Sequence, residues 1–205
     1  MAIAEPGMDI PGVTRPMTYE EYLASPEEMA RYDILDGWKV YRLYGKQQLP
    51  NPTRERQKVL LKLARRMGDW ADGTRLAEFV VAPCDVALSK RPIRTRQPDI
   101  LIISMERLAQ NPSSTNPAPL SPAPELVVEI LSPADKPAVL AAKIADYRSV
   151  DVREVWVVRT GTQAVDVVRL TVDEIETVAA YGMGETVASA IFNGLTVSAD
   201  DIFAE

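Results

Sequence analysis

Residues 124–158 read PELVVEILSPADKPAVLAAKIADYRSVDVREVWVV, and their order decides the fold class. Glu125 to Leu131 is a short apolar run rich in β-branched residues, the composition of a buried strand. Pro137 to Ser149 predicts a helix, with proline at its first position, where a missing N–H costs nothing. Glu154 to Val158 is a second buried strand. Upstream, Ile100 to Ile103 is another such run, directly after Pro98-Asp99. Apolar strands interleaved with helices predict a mixed α/β class with a central sheet flanked by helices.

Outside this centre the signals are those of hairpins and caps. Arg31 to Leu35 and Trp38 to Tyr44 flank Asp36-Gly37, a hairpin turn signal. Thr18-Tyr-Glu-Glu21 and Ser25-Pro26-Glu27-Glu28 are capping boxes, predicting one or two short helices over 18–30. Asn51-Pro52 opens the clearest helix, ending near Gly73. Val59, Leu60, Leu63, Ala64, Met67 and Ala71 form its apolar stripe. Leu76 to Ala82 and Asp85 to Leu88 read as strands interrupted at Pro83. Residues 111–124 hold five prolines and form a connecting loop. Thr160-Gly161-Thr162 turns the chain into a strand over 165–170. Further strands follow over 175–181 and 185–189, and Ser198 caps a terminal helix. Residues 1–16 have no basic or apolar leader pattern and read as a flexible tail ahead of one domain over 17–205.

Composition removes several chemistries. The 205 residues include no histidine and one cysteine. This excludes Ser-His-Asp and Cys-His nucleophile systems, histidine-ligated zinc and imidazole acid–base catalysis. The single thiol suits a reducing, cytoplasmic compartment, and no run of apolar residues is long enough to span a membrane. The net charge is −6, unevenly spread. Residues 38–96 hold 14 Lys or Arg against 5 Asp or Glu, while after Arg169 there is no basic residue. The basic residues cluster at Arg54, Arg56, Lys58, Lys62, Arg65 and Arg66, and at Lys90, Arg91, Arg94 and Arg96. Each cluster reads as a solvated face or loop, or as the electrostatic footprint of phosphate binding.

The chemistry that remains is carboxylate chemistry. Asp99 begins the run ILII and Glu129 lies inside VVEIL. An ionised carboxylate in a buried strand is costly unless paired or bound to a cation. If the two strands are neighbours, the carboxylates converge. Oxygen ligands without histidine or thiolate favour Mg²⁺ or Mn²⁺. Lys143 lies about 10 Å into the following helix, at 1.5 Å per residue, within reach of that zone when the helix folds back along the Glu129 strand.

Taken in order, YDILDG (32–37), QPDILII (97–103), PELVVEILSP (124–133) and KIADYRSVDVREVWVV (143–158) resemble the Uma-type restriction-endonuclease family of the PD-(D/E)XK nuclease superfamily. The resemblance runs from about Met17 to Phe203. It implies a restriction-endonuclease-like core and Mg²⁺-dependent hydrolysis of phosphodiesters, with DNA as the expected partner. Carried over, Asp99 and Glu129 become metal ligands, the Ile130 carbonyl completes the shell, and Lys143 supplies the lysine from the helix. Asp33 takes the place of the acidic residue in the first hairpin, one methylene shorter than the glutamate more common there. The family often has a histidine at the start of its long helix, where this chain has Arg56 or Gln57. The nucleic acid backbone would lie against Arg54, Lys58, Lys62, Arg94 and Arg96, and a homodimer would suit cutting two strands. Two alternatives stand beside this reading: a catalytically silent binding module retaining the fold, and a Mg²⁺ enzyme acting on a small phosphate ester.

Overall fold

The structure is a computed structural model that describes residues 15–26, 31–41, 53–110 and 120–204. Within these residues the chain runs α1 (Tyr19–Leu23), β1 (Tyr32–Leu35), β2 (Trp38–Tyr41), α2 (Arg54–Thr74), β3 (Ala77–Val81), β4 (Val86–Lys90), β5 (Ile93–Arg96), β6 (Ile100–Ser104) and α3 (Met105–Ala109). It continues through β7 (Leu126–Leu131), α4 (Pro137–Ser149), β8 (Glu154–Arg159), β9 (Ala164–Leu170), β10 (Ile175–Tyr181), β11 (Thr186–Ala188), β12 (Thr196–Ser198) and α5 (Ala199–Phe203). Residues 1–14 of the anticipated tail, Glu27 and Glu28 of the second capping box and most of the proline-rich loop lie outside the described residues.

The central sheet has six strands in the order β10-β9-β8-β7-β6-β3. Only β7 and β8 pair in parallel, because α4 carries the chain back between them. Alternation along β7 sends Leu126, Val128 and Ile130 into a core shared with Val59, Leu63 and Met67 of α2 and with Ile202 and Phe203 of α5. Val127 faces the other way, into a core shared with Tyr147 of α4, Val155 and Val157. The central strands β6, β7 and β8 are therefore covered on both faces, which is why they read as nearly unbroken apolar runs.

A second sheet, in the order β2-β1-β5-β4, stands beside the first. Its β1–β2 hairpin turns on Asp36 and Gly37, with φ of 52° and 86°. Two successive positive φ values are the turn geometry that matches strand twist. A Cβ on Gly37 would meet the Pro16 Cβ at 2.6 Å and the Met17 carbonyl at 2.8 Å, so glycine is required there for space as well as φ.

Several elements differ from expectation. Ile93–Arg96 is a strand, not a solvated loop: Ile93 and Thr95 are buried, and Arg96 is buried by ion pairing rather than by apolarity. Helix α3, capped by the Ser104 side chain, and strand β12 carried too little periodic pattern to be anticipated. Helix α2 is capped by Thr53, whose hydroxyl accepts the Arg56 N–H at 3.1 Å, two residues past the expected opening.

One buried carboxylate belongs to the core rather than to chemistry. Glu154 accepts the Trp156 Nε1–H at 2.7 Å and the Ala190 N–H at 2.7 Å, tying the 186–198 segment to β8. Burial raises its pKa above the ordinary 4.5, and its hydrogen bonds only partly offset that. The native state thus holds a proton that the unfolded chain has already released, so this group makes stability fall as pH rises from about 4.5 through the folded value. Glu154→Gln should remove that slope. Urea midpoints of both proteins from mildly acidic to neutral pH check it, and parallel curves would refute it.

Candidate active site

The β6–β7 ladder ends at the Ile100–Val128 pair. Beyond it, the Asp99 carboxylate instead of a backbone carbonyl takes the Ile130 N–H, at 2.7 Å. A side chain is thus inserted where the two strands would otherwise continue pairing. It sits beside Glu129, the residue before Ile130. The two carboxylates singled out from sequence therefore lie at the same end of adjacent strands, and both residues are 1% exposed. The N–H and C=O of a strand residue leave on the same edge, so the Ile130 carbonyl also faces the Asp99 side.

Each carboxylate is held by cations from a different element. Glu129 accepts from Lys143 Nζ at 2.7 Å and from the Tyr147 hydroxyl at 2.5 Å. Lys143 and Tyr147 are four residues apart on α4, hence on one face of it. Asp99 accepts from Arg31 Nη1 at 2.5 Å and from Arg56 Nη2 at 3.1 and 3.0 Å. Arg56 lies three residues before Val59 and so extends the buried stripe of α2 toward the sheet end. Of Arg56 and Gln57, the two residues set against the family's histidine, Arg56 is the one bound to Asp99.

Asp33 is buried nearby but accepts from Arg96 Nη1 at 3.1 Å and from the Gln97 N–H at 3.0 Å. Arg96 also pairs with Asp146 of α4, at 2.6 Å. Burial lowers the Arg96 pKa, but Asp33 and Asp146 outweigh it and hold it raised. The Asp33–Arg96–Asp146 chain braces the smaller sheet against the helix that carries Lys143. Arg94 joins it, 3.1 Å from Asp146.

Among the other residues expected to meet nucleic acid, Arg54 and Lys58 are exposed on α2, whereas Lys62 donates to the Ala204 carbonyl. Arg96 is committed internally. Cys84 is half-buried, and its thiol is pushed up to about 11 by burial, with Asp85 and Glu78 adding to it, which suits packing rather than nucleophilic attack.

Arg31, Asp146 and Tyr147 were not foreseen as site residues. Tyr147 had a legible signal in its four-residue spacing from Lys143. Arg31 and Asp146 had none, since their partners lie 68 and 50 residues away.

The donor set suits a hard divalent cation: two carboxylates and a carbonyl, all oxygen. No group of three or more His, Cys, Asp or Glu side chains gathers among the described residues. Any such ion would therefore complete its shell with that carbonyl and water.

The fold, a mixed central sheet flanked by helices, is restriction-endonuclease-like. The Uma2 family, described as "Putative restriction endonuclease", matches residues 19–200, and the chain belongs to that family. A crystal structure of a protein from Anabaena variabilis, described as a "putative nuclease", is similar in fold. Its TM-score is 0.67 at 18% identity, covering 92% of this chain and 98% of that one. Comparison with curated proteins finds no match. Among the described residues, no helix is long and apolar enough to cross a membrane.

Proposed function

We propose that this protein is a divalent-cation-dependent endonuclease that hydrolyses phosphodiester bonds in DNA. The reading is supported by Asp99 taking the Ile130 N–H next to Glu129, and by Lys143 holding Glu129 from α4, in a chain of this family. Mg²⁺ or Mn²⁺ would be held by Asp99, Glu129 and the Ile130 carbonyl. When bound, it supplies an activated water and offsets charge on the phosphate.

The chain's own residues do the rest. Lys143, held by Glu129, keeps a positive charge beside the place where phosphate charge grows. Tyr147 fixes the Glu129 rotamer from the same helix face. Asp33 acts as a positioning residue, because its bond to Arg96 reaches Asp146 and so sets where α4 stands. Exposed Arg54, Lys58 and Arg65 on α2 offer contacts to the nucleic acid backbone, which orient a duplex without reading its sequence.

The test is incubation of supercoiled plasmid and of single-stranded DNA with Mg²⁺ or Mn²⁺, with EDTA as control, across a salt series. Cleavage that needs metal and falls by orders of magnitude between about 50 and about 200 mM salt is the expected result. Hydrolysis confined to a small phosphodiester, with little salt dependence, would favour a small-molecule phosphoesterase. Absence of both, with no Mn²⁺ binding, would leave a silent module of the same fold.

A further inference from the structure

We propose that Arg31 and Arg56 form a guanidinium pair that couples cation binding to phosphate binding. It holds Asp99 at rest and passes to the non-bridging oxygens of a nucleic acid phosphate when a divalent cation takes Asp99. This deepens the nuclease reading and rests on it.

The first ground is occupancy. Oδ1 of Asp99 accepts from both arginines, and Oδ2 accepts from Arg56 and from the Ile130 N–H. A cation that coordinates this carboxylate has to displace a guanidinium. The second is charge. Two guanidiniums face one carboxylate at Asp99, while Glu129 is matched by Lys143. The Asp33–Arg96–Asp146 chain beside it carries one surplus negative charge, so the site is balanced with both guanidiniums on Asp99, and a cation entering alone upsets that balance. A cation and a phosphate arriving together restore the balance.

The third ground is access. The Arg31 and Arg56 side chains are 18% and 20% exposed, against 1% for Asp99, so both reach it from the solvent side, Arg31 resting also on the Gln97 and Pro98 carbonyls. Arg96 differs: its side chain is 7% exposed and it is fixed between two carboxylates. The fourth is an unmet donor. The Arg31 Nε–H is buried with no acceptor among the described residues, although the other end of the guanidinium bonds Asp99 and the Gln97 carbonyl. A phosphate oxygen is the kind of acceptor a guanidinium fork takes in pairs.

Coupling of this kind is reciprocal: whatever factor phosphate adds to cation affinity, the cation adds to phosphate affinity. The experiment is calorimetric titration of Mn²⁺ into the full chain and into Arg56→Gln, Arg31→Gln and Asp99→Asn, with and without a phosphorothioate dinucleotide. Without dinucleotide, both arginine variants should bind Mn²⁺ about five- to tenfold more tightly than the wild type. The dinucleotide should raise wild-type affinity by a similar factor and raise that of the variants much less. Asp99→Asn should not bind. If Asp99→Asn loses binding but neither arginine variant gains it, the arginines merely brace the aspartate: the coupling falls and the nuclease reading stands. If the wild type and both arginine variants take up no Mn²⁺, the cation site itself falls, and the coupling with it. Two variants on separate elements keep the test usable should one of them fold poorly.

Discussion

Glu129→Gln should abolish metal-dependent cleavage and destabilise the fold in the same step. Its carboxylate is 1% exposed and faces a lysine that is itself buried. Removing one partner of such a pair strands the other charge, at a cost of about 3 to 5 kcal/mol. That is a large share of a total stability of about 5 to 15 kcal/mol. Lost transition-state stabilisation of about 3 kcal/mol would add at least about a hundredfold drop in cleavage rate. Loss of folding and loss of chemistry have to be separated, and Lys143 allows it. Replacing both ends of a buried pair with neutral groups often restores stability. The double variant Glu129→Gln, Lys143→Met should therefore melt closer to the wild type than Glu129→Gln alone, yet remain inactive. A double variant that recovers both stability and cleavage would refute the catalytic role of this pair.

Asp99→Asn should show a different balance, with cation binding and cleavage lost but a smaller loss of stability. The amide oxygen can still accept the Ile130 N–H, so the strand end stays satisfied. The amide nitrogen then stands where Oδ1 accepted from both arginines, so both guanidiniums must move, and their side chains, 18% and 20% exposed, already reach solvent. A cost of about 1.5 to 3 kcal/mol follows from the weakened charge-assisted hydrogen bonds. Chemical denaturation of Asp99→Asn and Glu129→Gln side by side measures the contrast, and Mn²⁺ calorimetry of Asp99→Asn measures the rest. Equal destabilisation by the two substitutions would show that Arg31 and Arg56 are fixed parts of the fold.

The contrast has a structural origin. Glu129 is served from α4, deep between helix and sheet, whereas Asp99 is served from the residue ahead of β1 and from the first turn of α2. One carboxylate is locked and the other is latched. Such a division suits a site that must hold its lysine still while exchanging what neutralises its metal ligand.

The amino-acid sequence by itself determined the elements that carry the site. Runs such as ILII and LVVEI read as buried strands, because they are short, rich in β-branched residues, without polar alternation and bounded by proline. A carboxylate inside such a run is costly unless it is paired, bound to a cation or protonated, which marked Asp99 and Glu129 as candidates before any contact was known. The spacing of Lys143 along its helix was equally local information. What only the tertiary structure decided is which cations answer those carboxylates. Arg31, Arg56 and Arg96 lie 68, 43 and 63 residues from the aspartates they bind, and no local pattern encodes a contact at that range. The segment IRTR shows the same limit. Its charge density suggested solvent, yet Arg96 is buried because β1 and α4 each bring a carboxylate to it. Hydrophobic periodicity reports which face a residue turns to the core. Ion pairing depends on which elements the folded chain sets side by side.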